Sequence, residues 1–506
     1  MMTLHELCQG VTTQPVPSLT VTGIACHSKR VQPGEVFVAV RGPRHDGHEF
    51  LEEAVRRGAA ALVVERLPRT SVSCPVILVP DTKQALALMA SARYSHPAQQ
   101  LRFMGVTGTN GKTTTTYLLK AMLEAAGERV GLLGTVAYEI GQRHVPSPNT
   151  TPGTLELQRY LAEMVEQHLS WCVMEVSSHA LDQGRVDGLS FDAAIFTNLG
   201  SDHLDYHQTR EAYAQAKRRL FTYLRPKGRA LINANDEYGQ TLIETLGHQP
   251  LVSYGVEPAA TIEGDTVDRR LYPHAPSVLA RNVTCNWDGT NLILDSPWGT
   301  IPLHASLVGR HNVSNLVAAA SACLSVGIET SAIRRALEDF PQVPGRLERM
   351  RTETGVLTVI DYAHTADALR LVLLSLRELV RGRLIVVFGC GGDRDQTKRP
   401  EMGRVASLLA DAAILTSDNP RTEDPLDIIR QIKAGFLPTS CETQVIVDRE
   451  QAIMAALAMA RADDAVLIAG KGHEAYQIFD HVTVPFSDRD VVERVCSHTG
   501  KAVVVS

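Results

Sequence analysis

The sequence has no CxxC pair among its nine cysteines. They stand in apolar runs or singly in loops, so neither a metal cluster nor a disulfide framework is expected, and they read as reduced thiols of a cytoplasmic protein. No apolar run reaches the roughly 18 residues that a membrane span needs. The first residues carry no basic segment leading into an apolar core, so no secretory signal is expected. A charge of one sign is also missing. The net charge is −6 with both signs scattered, which argues against a nucleic-acid surface as the main business. There is no low-complexity tract and no repeat of solenoid period. What is present is 506 residues, 44% of them hydrophobic, enough for about three domains.

Apolar runs at 35–40, 59–65 and 75–79 predict strands, with helices near 49–57 and 83–93, so residues 1–98 form a first α/β unit. The polar stretch 95–100, with Pro97, reads as a linker. Residues 99–340 form a second unit. Strands are predicted at 170–176, 193–198 and 229–233, alternating with helices at 154–167 and 210–223. That alternation implies a largely parallel sheet with ligands at the strand C-termini. The turn-rich stretch 261–303 predicts a small antiparallel addition to the sheet. The proline-rich crossing 341–346 opens a third unit, 341–506, with strand-like runs at 355–360, 384–388, 412–415 and 465–469. It predicts another open, Rossmann-like α/β sheet.

The stretch that organises the reading is Gly105-Val-Thr-Gly-Thr-Asn-Gly-Lys-Thr-Thr114. A buried strand leads in, and apolar residues at Tyr117, Leu118, Met122 and Leu123 mark a helix leading out. Strand, glycine turn and helix N-terminus make a phosphate cradle. Lys112 would reach the outer phosphates, and the Thr113 hydroxyl would sit on Mg²⁺. The strict pattern has glycine at position 106, where this chain has Val106.

Glu175 closes a predicted strand beside this loop, where a Mg²⁺ ligand belongs. An exposed strand-end glutamate is the equal alternative. The next strand runs into Thr197-Asn-Leu-Gly-Ser-Asp-His203, so polar residues crowd the same sheet edge. By spacing alone, Lys217 is a surface lysine on a helix. Arg394 and Arg421 near strand ends of the third unit offer two planar forks for carboxylates. A solvated turn pairing Arg421 with Glu423 or Asp424 is as good a reading from spacing.

Thr107–Thr113, Glu175–His179, Asn198–His203 and Gly309-Arg-His-Asn-Val-Ser-Asn315 together resemble the successive signatures of the Mur ligases. These are ATP-dependent amide-bond ligases of bacterial cell-wall synthesis. The resemblance runs from Ser28 to Glu474, across all three units, and includes the shorter glycine spacing at Val106. Asn149-Thr-Thr-Pro152, Asp418-Asn-Pro-Arg421 and Gly470-Lys-Gly-His-Glu474 resemble the branch that adds diaminopimelate as the third peptide residue.

The resemblance implies a division of labour: a uridine-nucleotide domain (1–98), an ATP domain (99–340) and an amino-acid domain (341–506). Gly108, Thr109, Asn110, Gly111, Lys112, Thr113 and Thr114 would hold ATP phosphates. Asn312, Arg346 and Asp361 would hold adenine and ribose. Thr113, Glu175 and His203 would bear on Mg²⁺, together with Lys217 as a carbamate, so Lys112, Lys217 and His203 are the catalytic set. Cys26, Ser28, Pro43, Arg44 and His45 would hold the uridine diphosphate end of UDP-N-acetylmuramoyl-L-alanyl-D-glutamate. Family members often read Asp-Ser-Arg where this chain has His27-Ser28-Lys29. Asn149, Thr150, Thr151, Ser177, Gln183 and Arg185 would hold the muramyl dipeptide. Arg394, Asp418, Asn419, Pro420, Arg421, Gly470 and Glu474 would hold meso-diaminopimelate. The expected protein is a cytoplasmic monomer with ATP and Mg²⁺ as cofactors and no nucleic-acid partner. L-lysine as the incoming amino acid, or a folylpolyglutamate synthase-like reaction, are the alternatives.

Overall fold

The computed structural model describes residues 2–42, 45–247, 249–258, 274–352, 355–438, 440–498 and 503–504. Pro43, Arg44 and the first part of the stretch 261–303 lie outside the described residues.

Three main sheets follow one another along the chain. The first has four parallel strands in the order Gly23–Ala25, Glu35–Val38, Ala61–Val64, Val76–Leu78. Its two faces bury separate clusters, one around Val36, Val38 and Leu86, the other around Phe37, Leu62 and Leu51. The expected linker holds a short 3-10 helix, Pro97–Gln99, with Pro97 buried.

The second sheet has eleven strands. Its parallel centre runs Val130–Leu133, Trp171–Glu175, Arg102–Thr107, Phe191–Phe196, Leu224–Asn233, Leu251–Val256, Val278–Asn286. Both margins are antiparallel, with Ala137–Ile140 and Arg143–Pro146 at one end and Gly289–Ser296 and Gly299–Ala305 at the other. The antiparallel addition expected from the turn-rich stretch is thus present among residues 278–305. From Arg102–Thr107 the chain crosses to one side of the sheet, and Phe191–Phe196 then lies on the other. That strand is the switch point, where a crevice opens at the carboxyl ends. Along it Phe103 packs on one face and Met104 and Val106 on the other. The helix expected at 210–223 ends at Arg218, and a 3-10 helix, Arg219–Tyr223, continues it.

The third sheet has seven strands. Five are parallel, in the order Glu442–Val445, Ala412–Leu415, Leu384–Phe388, Ala465–Ala469, Leu357–Asp361, and Glu348–Thr352 runs antiparallel beside the last. In Ala465–Ala469, residues 465, 467 and 469 face one core and 466 and 468 the other, the period of a strand covered on both faces. The late strand inserts between two early ones. A second switch point results, ringed by residues 389–394, 416–421 and 470–474.

Hydrogen bonds tie the units together. Lys83 Nζ donates to Asp182 O (3.4 Å) between the first and second. Trp287 Nε1 donates to Leu379 O (3.0 Å), and Arg349 Nη2 to Ser306 O (2.9 Å), between the second and third.

Candidate active site

The turn 108–111 joins Arg102–Thr107 to the helix Lys112–Ala125. Two of its positions require glycine. Gly108 has φ +146° and Gly111 φ +86°, and a Cβ would collide with Thr197 Oγ1 at the first and Asn315 Oδ1 at the second. The helix starts without a side-chain cap and without an acidic residue in its first turn. Its first amides and its dipole are therefore directed at an anion, not spent on a local carboxylate. Asn198 fixes the loop from the next strand: its Oδ1 accepts from Asn110 N (2.9 Å) and its Nδ2 donates to Asn110 O (3.1 Å).

Lys112 folds over the turn, donating to Gly108 O (2.9 Å) and Thr109 O (2.8 Å). Lys217 reaches the same Gly108 carbonyl at 2.8 Å. It is 1% exposed, not the surface lysine that spacing allowed. It stands one helical turn after Tyr213 on the buried face of Arg210–Arg218, with its ammonium 4.2 Å from that ring centre. Burial pulls its pKa well below the usual lysine range, and the Lys112 ammonium pushes the same way. Lys112 is lowered by burial too, against the opposing pull of Glu175.

Glu175 is fully buried, which removes the exposed alternative. Its oxygens accept from Thr135 N (2.8 Å) and Thr135 Oγ1 (3.0 Å). Thr113 Oγ1 accepts from Arg346 Nη2 (3.1 Å), so an arginine expected near the ribose lies against the hydroxyl expected on the metal. Asp361 is buried and accepts from Leu347 N and Ala363 N, each at 2.8 Å. Asn312 spends its amide at the start of its own helix, donating to Val308 O (2.8 Å) just before it and accepting from Asn315 Nδ2 (3.0 Å). His203 takes a left-handed backbone (φ +56°) and packs edge-on against His179, 4.7 Å between ring centres. Burial lowers its pKa to about 4.

Lys112, Thr113, Glu175, His203, Asn312, Arg346 and Asp361 all line one cleft of about 210 Å³ between the second and third units. Thr135, Asp202, Asn315, Tyr362 and His364 line it too, and none was singled out from the sequence. Thr135 carries no motif spacing. Asp202 and Asn315 lie within the Asn198–His203 and Gly309–Asn315 runs, and that was the available signal. Among the described residues no three His, Cys, Asp or Glu side chains gather as a metal cage. A hydroxyl, one carboxylate and one imidazole around a phosphate loop fit Mg²⁺ shared with phosphate oxygens, which keeps few protein ligands.

The dipeptide candidates form a second, adjoining network. Thr151 Oγ1 donates to Glu175 O (2.9 Å) and accepts from Ser177 N (3.0 Å). Arg185 donates to Thr151 O (2.9 Å) and forks onto Gln183 Oε1 (2.9 and 2.7 Å). Thr150 Oγ1 and Thr135 Oγ1 are within hydrogen-bond distance (3.1 Å), and Asn149 O accepts from Tyr138 OH and from Ser147 Oγ (2.7 Å). In the first unit, buried Ser28 donates to Glu53 (2.6 Å). Cys26 is exposed, and His45 packs edge-on against Phe50.

The amino-acid candidates ring the second switch point. Arg421 pairs with neither Glu423 nor Asp424. Glu423 takes a two-pronged contact from buried Arg399 (2.8 and 2.9 Å), and Asp424 caps the helix Pro425–Lys433. Arg421 instead donates to Gly392 O (2.8 Å) and more weakly to Asn419 O (3.5 Å). Its pKa is lowered by burial and then by Arg394, so two guanidiniums repel each other here. Asn419 Nδ2 donates to Glu474 Oε2 (3.0 Å), and Gln477 Nε2 to Asp418 O (2.9 Å). Pro420 O packs where a Cβ on Gly392 would stand, and Gly470 (φ +113°) lies against Asp418.

Family models cover most of the chain. The Mur ligase family catalytic domain matches 20–94, the Mur ligase middle domain 106–323, and the Mur ligase glutamate ligase domain 345–472. The chain belongs to the Mur ligase family. Among its relatives, the UDP-N-acetylmuramoyl-L-alanyl-D-glutamate–2,6-diaminopimelate ligase of Gloeobacter violaceus is 44% identical over 500 residues, 98% of each chain. A solved diaminopimelate ligase of the same name superposes with a TM-score of 0.68 at 32% identity, covering 99% of both chains. The MurF ligase of Thermotoga maritima, solved in complex with ADP, has a TM-score of 0.59 at 20% identity over 88% of this chain and 93% of its own. That last likeness is one of fold. Val106, at odds with the strict phosphate-loop pattern, thus lies in a Mur ligase middle domain.

Proposed function

We propose that this Mur ligase joins meso-diaminopimelate to UDP-N-acetylmuramoyl-L-alanyl-D-glutamate, consuming ATP and releasing ADP and phosphate. The observation that carries the choice of amino acid is the guanidinium pair Arg394 and Arg421, set at a switch point where, among the described residues, the Arg421 guanidinium bonds only main-chain oxygens. Diaminopimelate offers a second carboxylate there, and L-lysine does not. A guanidinium left without that partner in a closed site costs about 2 kcal/mol or more.

The D-glutamate side-chain carboxylate attacks the γ-phosphorus, the bond to the β-phosphate oxygen breaks, and ADP leaves an acyl phosphate. The amine of diaminopimelate then attacks the acyl carbon, phosphate departs, and the amine gives up a proton. Lys112 and the amides of residues 108–114 stabilise charge on the transferring phosphoryl group. Arg185, Thr151 and Ser177 orient the dipeptide, while the first unit holds the uridine end. Bound Mg²⁺ would supply charge neutralisation on the phosphates, held by Thr113, Glu175 and His203. Lys217 is suited to carbamate formation, because burial favours the neutral amine that adds CO₂ with loss of a proton. Units 1–98, 99–340 and 341–506 then serve as uridine, ATP and amino-acid domains. We assign the protein to the cytoplasm as a single-chain enzyme; among the described residues no helix is long and apolar enough to cross a membrane.

The test supplies the UDP-linked dipeptide, ATP and Mg²⁺ with either meso-diaminopimelate or L-lysine. Ligation with the first, little with the second, and ADP with phosphate as products are expected. AMP and pyrophosphate, or a preference for lysine, would overturn the proposal.

A further inference from the structure

No step of the proposed reaction uses Lys471, yet its side chain is wholly buried. An ammonium is not held out of water without partners. Lys471 Nζ donates to Glu474 Oε2 (3.0 Å) and Asn419 Oδ1 (3.3 Å), beside the Tyr476 ring at 5.3 Å. Asn419 Nδ2 donates to that same Glu474 oxygen (3.0 Å), and its Oδ1 also accepts from Ile478 N (3.1 Å). Three side chains therefore close a triangle that fixes which way the Asn419 amide faces. The backbone on either side is pinned. Gly470 and Gly472 have φ +113° and +52°, and a Cβ would press on Asp418 at the first and on Tyr362 at the second.

The triangle lies at the guanidinium pair. The Asp418 carboxylate, and after it Glu474, already attract Arg421 electrostatically. Without Lys471, the partly buried Glu474 carboxylate would keep Asn419 Nδ2 and Tyr362 OH as donors but lose its ammonium partner, and its pull on Arg421, no longer offset, would draw that guanidinium away from the ligand.

We infer that Lys471 is a positioning residue that sets amino-acid selectivity: it holds Glu474 and Asn419 in place and leaves Arg394 and Arg421 for the second carboxylate of the substrate. The inference rests on the diaminopimelate reading of this pocket. In Lys471→Met, the preference for meso-diaminopimelate over L-lysine in kcat/KM should fall by about tenfold or more, with the ATP KM within about twofold of native. Glu474→Gln should also weaken diaminopimelate use. Because Lys471 acts through Glu474, the double variant Lys471→Met/Glu474→Gln should be no worse than Glu474→Gln alone, within about threefold. If Lys471→Met does not fold, that second comparison decides, since the double variant leaves no buried charge unpaired. Unchanged selectivity in Lys471→Met, equal loss for ATP, or a further tenfold loss in the double variant over Glu474→Gln would each overturn the inference. Native enzyme is assayed alongside: failure of the native protein to use diaminopimelate sinks the substrate assignment, whereas an active native enzyme with an indifferent Lys471 sinks only this inference.

Discussion

The phosphate loop and the amino-acid pocket are built in opposite ways. The loop is contiguous. Residues 105–114 carry the strand end, both positive-φ glycines, the lysine and the hydroxyl, and the sheet has only to place that segment at its switch point. The pocket is composite. Residues 391–394, 418–421 and 470–474 come from three strand ends, and their order in space follows from a strand inserted late between two early ones. A contiguous site depends on its local backbone. A composite site depends on which side chains are satisfied elsewhere and which remain available to a ligand.

The comparison can be broken most severely at Lys112. Lys112→Ala should lower kcat by about a thousandfold with the unfolding midpoint unmoved, as measured by steady-state turnover and denaturant titration. Near-normal turnover would mean that the loop is not the site of chemistry. Arg421→Ala should reduce kcat/KM for diaminopimelate about a hundredfold and leave the ATP KM within about twofold. Equal losses for both substrates would erase the distinction between the two regions. Gly108→Ala sharpens the other side. The left-handed backbone and the collision with Thr197 should destabilise the fold by about 3 kcal/mol, read by chemical denaturation.

The smallest effect concerns the seam between the second and third units. His311 Nδ1 meets Ser375 Oγ at 2.9 Å, and burial lowers its pKa to about 4 from an ordinary 6.5. The folded state refuses a proton that the unfolded chain accepts between those values. Stability should therefore be flat with respect to this group above about pH 6.5 and fall as pH drops toward 4. His311→Gln should make that acid limb shallower, measured as unfolding midpoint against pH. An unchanged limb would show that His311 does not contribute to it.

Legibility followed the same division. The strands at 102–107, 171–175, 191–196, 384–388 and 465–469 were readable because strands covered on both faces are short apolar runs between turn signals. The edge strands Arg143–Pro146 and Glu442–Val445 were not anticipated, because they are polar and largely exposed and owe their conformation to pairing. Lys217 shows the limit most clearly. A lysine in mid-helix gives no sign of burial; in the fold it lies over the Tyr213 ring, whose hydroxyl meets Thr109 Oγ1 of the loop at 3.2 Å, and it reaches the Gly108 carbonyl. Arg421 is the converse: two carboxylates close in sequence offered it a partner, and Arg399 and a helix N-terminus claimed them first.

By itself the sequence determined the phosphate loop, the alternation of strands and helices and the membership of the Mur ligases, since each is written in neighbouring residues whose backbone and periodicity are local matters. Tertiary structure alone decided that Glu175 and Lys217 are buried, that Arg346 reaches Thr113, and that the Arg421 guanidinium, among the described residues, bonds main-chain oxygens and no carboxylate directly. The physical reason is that burial and competition for hydrogen-bond partners are settled by residues far apart in the chain, and no local pattern records who reaches a partner first.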